Sequence, residues 1–195
     1  MTSENGSEDS EFWADRAAEK VIENGRNPVV KGGVSPSGVP HIGNFNEVLR
    51  GHFVTRALED VGEDATQIFT RDDRDPFRSV PYKLADENGN IVELDDETRA
   101  ELENHLGKPY VDDPDPFGCC DSWADHFGSI LEDSADALDV EVEFYSNHEL
   151  YDSGELLDIT RTVLSDVEKA REVIARFQRT VGDDYIPFMP ICAEC

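Results

Sequence analysis

The stretch 33–44 (Gly-Val-Ser-Pro-Ser-Gly-Val-Pro-His-Ile-Gly-Asn) constrains this chain more than any other. It joins an apolar, strand-like run (Pro28, Val29, Val30) to a helical pattern that starts near Ile42. Small residues at Gly33, Ser35, Ser37, Gly38 and Gly43 let a backbone approach a ligand closely. Strand, small-residue turn and helix start is the arrangement in which α/β proteins hold phosphate. Backbone N–H groups and the positive helix end both face the anion there. His41 and Asn44 stand three residues apart at that helix start and add side-chain donors on one face. Such donors stabilise charge developing on phosphate oxygens during nucleotidyl transfer. A tight turn with a half-exposed imidazole accounts for His41 taken alone. The Ser-Pro-Ser-Gly before it and the Gly-Asn after it favour a ligand site.

The remaining pattern predicts an α/β domain. Residues 12–24 read as a short helix stopped by Gly25, and 28–34 as a buried strand. Phe45, Leu49, Phe53, Ala57, Leu58 and Val61 recur at helical spacing up to a stop at Gly62. A second short strand over 65–70 runs into Arg71-Asp72-Asp73-Arg74-Asp75-Pro76. Strand–helix–strand is the first half of a doubly wound unit. Residues 82 to about 120 interrupt it with a turn at Asn88-Gly89, a helix over 95–106 and a Pro- and Asp-rich run over 109–116. They read as an insertion at the rim of the sheet. A helix over about 122–138 and a strand over 140–145 then resume the rhythm. Leu156, Ile159, Val163, Val167, Ala170, Ile174, Phe177 and Val181 predict one long amphipathic helix with a core-packing stripe. Its charged residues form a solvated face.

Acidic side chains outnumber basic ones 44 to 17, a formal charge of −27. The acids are spread among normally periodic apolar residues and form no low-complexity block. At about 1 M salt the Debye length is roughly 3 Å, and such self-repulsion is largely screened. The composition therefore reads as adaptation to a salty cytoplasm and says little about partners. No apolar run approaches the roughly 20 residues that span a bilayer. Residues 1–11 lack the basic and apolar regions of a signal peptide, so a soluble cytoplasmic protein is expected. The four cysteines form two close pairs, Cys119-Cys120 and Cys192-x-x-Cys195. Adjacent cysteines rarely close a relaxed disulfide, and metal ligation is the better reading. Asp115, Cys119, Cys120 and His126 offer four ligands of mixed O, S and N type within twelve residues, a set suited to tetrahedral zinc.

His41-Ile42-Gly43-Asn44 resembles the HIGH-type signature of class I aminoacyl-tRNA synthetases. The longer string from Gly33 through Phe45-Asn46-Glu47-Val48 is similar to the archaeal-type class I lysyl-tRNA synthetases. The likeness continues through Asp72-Asp73-Arg74-Asp75-Pro76-Phe77-Arg78-Ser79-Val80-Pro81, Gly107-Lys108-Pro109 and the run from Asp115 to Phe127, and ends over 187–195. It covers the chain from about residue 28 to the end.

The resemblance implies lysine activation by ATP with Mg2+, giving lysyl-adenylate and pyrophosphate, then transfer of lysine to tRNA(Lys). Ser37, Gly38, His41, Gly43 and Asn44 would bind ATP, with His41 and Asn44 the catalytic contacts to its phosphates. Gly33 and Ser35 match positions that line the lysine pocket in this family. Asp72 or Asp73, at the carboxyl edge of the second strand, would pair with the lysine ammonium, the alternative being a capped turn. A zinc site would use Asp115, Cys119, Cys120 and His126, the family having histidine where this chain has Cys120. Cys192 and Cys195 would form half of a second zinc site.

The expected organisation is an acidic tail and short helix over 1–26, then a Rossmann-type doubly wound parallel sheet over 27–186. That domain carries the zinc-binding insertion at about 82–126, and 187–195 begins a zinc knuckle. The family's KMSKS-type lysine loop and helical anticodon-binding region would lie beyond Cys195. The 195 residues alone are therefore expected to activate lysine poorly or not at all. Two other readings stay open: another nucleotidyltransferase of the same superfamily, or a non-catalytic, zinc-stabilised RNA-binding module.

Overall fold

The computed structural model describes residues 12–25, 28–190 and 192. The acidic tail expected over 1–11 lies outside them. The chain divides into two compact units, Met1–His148 and Glu149–Cys195, a boundary that falls inside the stretch read from sequence as one domain.

The first unit opens with α1 (Trp13–Asn24), β1 (Val29–Val34), α2 (Ile42–Asp60) and β2 (Thr66–Arg71). An insertion follows, with β3 (Lys83–Ala85), β4 (Ile91–Glu93), α3 (Asp96–Glu103) and a 3-10 turn at Tyr110–Asp112. The unit closes with α4 (Trp123–Ala137) and β5 (Glu143–Ser146). β1, β2 and β5 form a parallel sheet in that order, with Val29 opposite Thr66 and Ile68 opposite Glu143. All three strands therefore end at one edge, at Val34, Arg71 and Ser146. Ligands of α/β proteins bind at such an edge.

Alternation along the strands sends one set of side chains toward the helices. Phe69 of β2 is fully buried against Phe45 and Val48 of α2 and Leu131 and Ala135 of α4. Gln67, two residues back, donates to the Val48 carbonyl at 2.8 Å. A Cβ at Gly32 would sit 2.7 Å from the Phe69 ring, so only glycine lets β1 pass that ring. Ala14 and Ala18 of α1 pack on Ala57 and Leu58 of α2. β5 begins at Glu143, later than its pattern suggests, because Val140 still closes the end of α4 through its N–H to the Ala135 carbonyl.

The insertion is more than a decoration of the rim. Phe77, Leu84, Leu102 and Tyr110 form a core with Trp123, Ala124 and Phe127 of α4. Its hairpin turns at Asn88-Gly89, where Gly89 has φ 76° and the Asp86 carboxylate accepts from the Asn88 and Asn90 N–H groups. Asp95 caps α3 by accepting from Thr98 N at 2.7 Å, and that helix ends at Glu103, short of the expected 106.

The long helix expected over 154–181 is interrupted. The structure has α5 (Asn147–Asp152, at the unit boundary), α6 (Leu157–Ser165) and α7 (Val167–Ala175). Asp166 leaves helical geometry, with φ −144° and ψ 68°, and its carboxylate accepts from Lys169 N. Aspartate favours this N-cap role, so it starts a new helix where periodicity alone predicts continuation. Nor is the apolar stripe a core, since no residue of α6 or α7 is buried and Phe177 is 84% exposed. No helix among the described residues is long and apolar enough to cross a membrane.

Candidate active site and metal centre

The turn from β1 to α2 is built around His41 as N-cap. Its Nδ1 accepts from Gly43 N at 3.0 Å and Asn44 N at 3.3 Å, and Asn44 Oδ1 accepts from His41 N at 3.0 Å. This reciprocal capping box uses two of the helix N–H groups that the sequence assigns to an anion. Because Nδ1 accepts, the imidazole proton sits on Nε2, at the exposed end of the ring. His41 Nε2–H and the Asn44 amide NH2 are the donors the turn presents. A Cβ at Gly43 would lie 2.7 Å from His41 Cε1, so glycine there is what lets the ring fold back over the helix start.

A cavity beside this turn is lined by Val34, Ser35, Ser37, Gly38, Asn44 and Arg71, and closed by Phe127 and Leu131. It brings together Ser35, Ser37, Gly38 and Asn44, four of the residues singled out from sequence. Its wall is held from outside the turn. The buried Trp123 indole donates to the Pro36 carbonyl at 2.7 Å, tying α4 to the loop. Arg71 reaches over α4, with NH1 3.6 Å from both Asp125 and Glu132. A Cβ at Gly128 would meet that side chain at 2.7 Å. The sequence did not mark Arg71 as a cavity residue.

Beside the turn, at the carboxyl edge, lies an acidic group. Asp72 Oδ1 accepts from Asn147 Nδ2 at 2.7 Å and from Thr70 Oγ1 at 3.4 Å. Burial, then the neighbouring Asp75 carboxylate, pushes the Asp72 carboxyl above its ordinary range. Lys31, Asn147 and Thr70 offset this in part. Ser35 Oγ donates to Asp75. Gly33 leaves room for this group, since a Cβ there would meet Thr70 Oγ1 at 2.5 Å and Asp72 Oδ2 at 3.7 Å. Asp73 differs. It is 2% exposed and takes hydrogen bonds from Ser146 Oγ and His148 N, so its oxygens tie β2 to β5. Of the two adjacent aspartates, Asp73 is buried and Asp72 only half-buried.

The second cluster assembles as its spacing suggests. One ligand atom from each of Asp115, Cys119, Cys120 and His126 lies within 4.8 Å of the others. Cys119 Sγ is 3.6 Å from Cys120 Sγ and 3.1 Å from His126 Nδ1, which is 3.4 Å from Asp115 Oδ1. Burial pushes the Asp115 carboxyl up, but the N–H groups of Phe117 and Cys120, the Cys119 side chain and the nearby His126 leave it below its ordinary value. His126 Nε2 lies 2.9 Å from the Ala85 carbonyl. A proton on Nε2 satisfies that carbonyl and frees Nδ1 for a metal, the usual outer-sphere arrangement. The donor set and spacing fit a divalent ion of the zinc type. Cys192 is exposed, and Cys195 lies outside the described residues.

The three-stranded parallel sheet thus carries a capped strand-to-helix turn beside a cavity, with an acidic group, Asp72 and Asp75, at the carboxyl edge. The chain matches the family model described as tRNA synthetases class I (K) over residues 11–195, and it belongs to that family. It is 52% identical over 188 residues to the lysine--tRNA ligase of Haloarcula marismortui, covering 94% of this chain and 34% of the relative. The corresponding protein of Halobacterium salinarum is 48% identical over 186 residues, with the same coverage. That of Thermococcus kodakarensis is 36% identical over 191 residues, again covering 94% and 34%. The chain thus spans about a third of the length of these relatives. Its acidic composition agrees with the salt-loving sources of the first two.

Proposed function

We propose that this chain is the catalytic part of a cytoplasmic lysine--tRNA ligase, which joins lysine to tRNA(Lys) through lysyl-adenylate. The observation that carries this reading is the pairing of a capped His-Ile-Gly-Asn turn with an acidic group, Asp72 beside Asp75, one strand away. The sheet would be one half of a Rossmann-type doubly wound sheet, with further strands added at the open edge of β1.

In the first step a lysine carboxylate oxygen attacks the α-phosphorus of ATP. The bond to the bridging oxygen breaks and pyrophosphate leaves, carrying the electron pair and its Mg2+. The protein's share is positioning and charge stabilisation. His41 Nε2–H and the Asn44 amide donate to phosphate oxygens, while Ser37, Gly38 and Gly43 give the backbone a close approach. Gly33 and Ser35 border the amino acid, and the Asp72 carboxylate receives its ammonium. Asn147 and Thr70 aim that carboxylate, and Asp75 adds negative potential.

Zinc would be held by Asp115, Cys119, Cys120 and His126, in a structural role that ties the β3–β4 hairpin to α4 through Ala85. A thiolate at Cys120, where the family has histidine, keeps a competent ligand and makes the site more negative. Cys192 and Cys195 would contribute to a second knuckle.

The test is ATP–pyrophosphate exchange by the full-length protein against a panel of amino acids, with tRNA(Lys) present. Exchange that depends on lysine is the expected result. Exchange driven by a different amino acid, or none with any, would sink the proposal.

A further inference from the structure

Resting on the tRNA-ligase reading above, we infer that Arg176-Phe177-Gln178-Arg179, with Lys169 on the same side of α7, contacts a single-stranded stretch of tRNA. A surface this acidic repels polyanions, so the place where the balance reverses is informative. Between residues 169 and 179 stand four basic side chains, Lys169, Arg171, Arg176 and Arg179, against one acid, Glu172. Arg171 is used internally. It donates through Nε to the Tyr185 carbonyl at 2.9 Å and pairs with Glu168 at 3.0 Å. Lys169, Arg176 and Arg179 are exposed, and among the described residues none has an ion pair or a side-chain hydrogen bond. Lys169 and Arg176 are seven apart, two helical turns, and so share a face. Arg176 caps the C-terminus of α7, where the helix dipole favours a cation. That accounts for neither Arg179 nor Phe177.

Phe177 is 84% exposed, among the most exposed of the large apolar side chains in the structure. An aromatic ring standing in solvent between two arginines is a platform on which an unpaired base stacks, with phosphates on either side. Salt makes the combination meaningful. At about 1 M the Debye length is roughly 3 Å, so long-range attraction is lost and only direct contacts and stacking survive. A protein that binds RNA in brine needs the ring as well as the charges.

The experiment measures binding of a tRNA(Lys) transcript to the full-length protein between about 0.5 and about 2 M KCl. Replacing both arginines (Arg176→Gln with Arg179→Gln) should weaken binding and flatten the slope of log affinity against log salt by about 1.4, two phosphate contacts at about 0.7 each. Phe177→Ala should weaken binding about five-fold or more and leave the slope unchanged, and Phe177→Trp should restore it. Each side chain is exposed, and thermal unfolding at the wild-type temperature checks that the fold is kept. Affinities and slopes equal to wild type would overturn the inference while leaving the tRNA-ligase reading intact. A Phe177→Ala change that altered only self-association would overturn it too, marking a protein interface instead. Failure of the wild type itself to bind the transcript would instead bring down the tRNA-ligase reading.

Discussion

Asp72 carries a cost in the folded chain. Half-buried and beside Asp75, its carboxyl is held above the ordinary range, so its charge costs folding free energy that an incoming ammonium would recover. Two consequences of opposite sign follow. The native state holds the Asp72 proton more tightly than the unfolded chain does. The folded protein is therefore favoured on the acid side, and that advantage fades as pH rises from the unfolded value through the raised one. On the proposed function, lysine affinity should move the other way, since it would need the carboxylate and be lost as pH falls through the raised value. Asp72→Asn should raise the KM for lysine about ten-fold or more, the worth of a charge-assisted hydrogen bond, and leave the melting temperature unchanged or higher. Exchange kinetics and thermal unfolding of one preparation check both. A variant that melts lower with an unchanged KM would make Asp72 a structural residue. Asp73→Asn should do the reverse, because its oxygens are committed to Ser146 and His148.

For the helix α2, the question is whether His41 is a cap, a ligand-binding group or both. Its Nδ1 closes the helix start, while its Nε2–H is the end turned outward. His41→Ala removes both functions and should cost about 1 kcal/mol of stability together with most of the activity. His41→Asn separates them. Asparagine is a strong N-cap, so stability should return, but it lacks the outward donor, and exchange should stay about a hundred-fold or more below wild type. Recovery of both by His41→Asn would mean that the turn needs only its cap. The insertion offers a parallel test of the zinc proposed for it. Because Ala85 sits against His126, a chelator, or His126→Ala, should loosen the β3–β4 hairpin. Proteolysis near Asn88-Gly89 should then quicken, reversed by zinc for the chelated wild type and not for the variant. An equal rate with and without chelator would leave the cluster without a metal.

Elements were legible in the sequence where a local signal closes them. Ser122 and Asp95 announce α4 and α3 by capping, and the glycine-rich turn announces α2. Asp166 is the counterexample. Its capping role is local, but the apolar period keeps phase across it, so periodicity reads one helix where there are two. The candidate metal cluster was legible because its four residues lie within twelve residues of one another. Asn147 and Arg71 were not. Asn147 reaches Asp72 across 75 residues only because β5 pairs with β2, and Arg71 meets Glu132 only because α4 crosses that strand. No spacing in the chain records either meeting.

At the scale of the whole molecule the governing fact is charge. Acids exceed bases 44 to 17, so most acids have no basic partner to find, and pairs such as Arg50–Glu47 and Arg56–Glu59 are exposed and at i, i+3 spacing. Exposed pairs of this kind contribute about 0–1 kcal/mol each and weaken as salt rises, so they cannot be the source of stability in brine. The larger effect is the self-repulsion of the folded surface, and salt relieves it. Relief is strongest as the Debye length contracts from about 10 Å at 0.1 M to about 3 Å at 1 M, the range over which neighbouring carboxylates stop sensing one another. The melting temperature should therefore climb steeply with KCl up to about 1 M and flatten beyond it. A kosmotropic salt such as sulfate should keep raising it through exclusion from apolar surface. Neutralising exposed acids of α6 and α7, for example Asp158→Asn with Glu172→Gln, should raise the low-salt melting temperature and barely move the high-salt value. Melting curves that were flat in KCl, or that shifted equally at both ends for the neutralised variant, would show that the acidity has no part in the fold's stability.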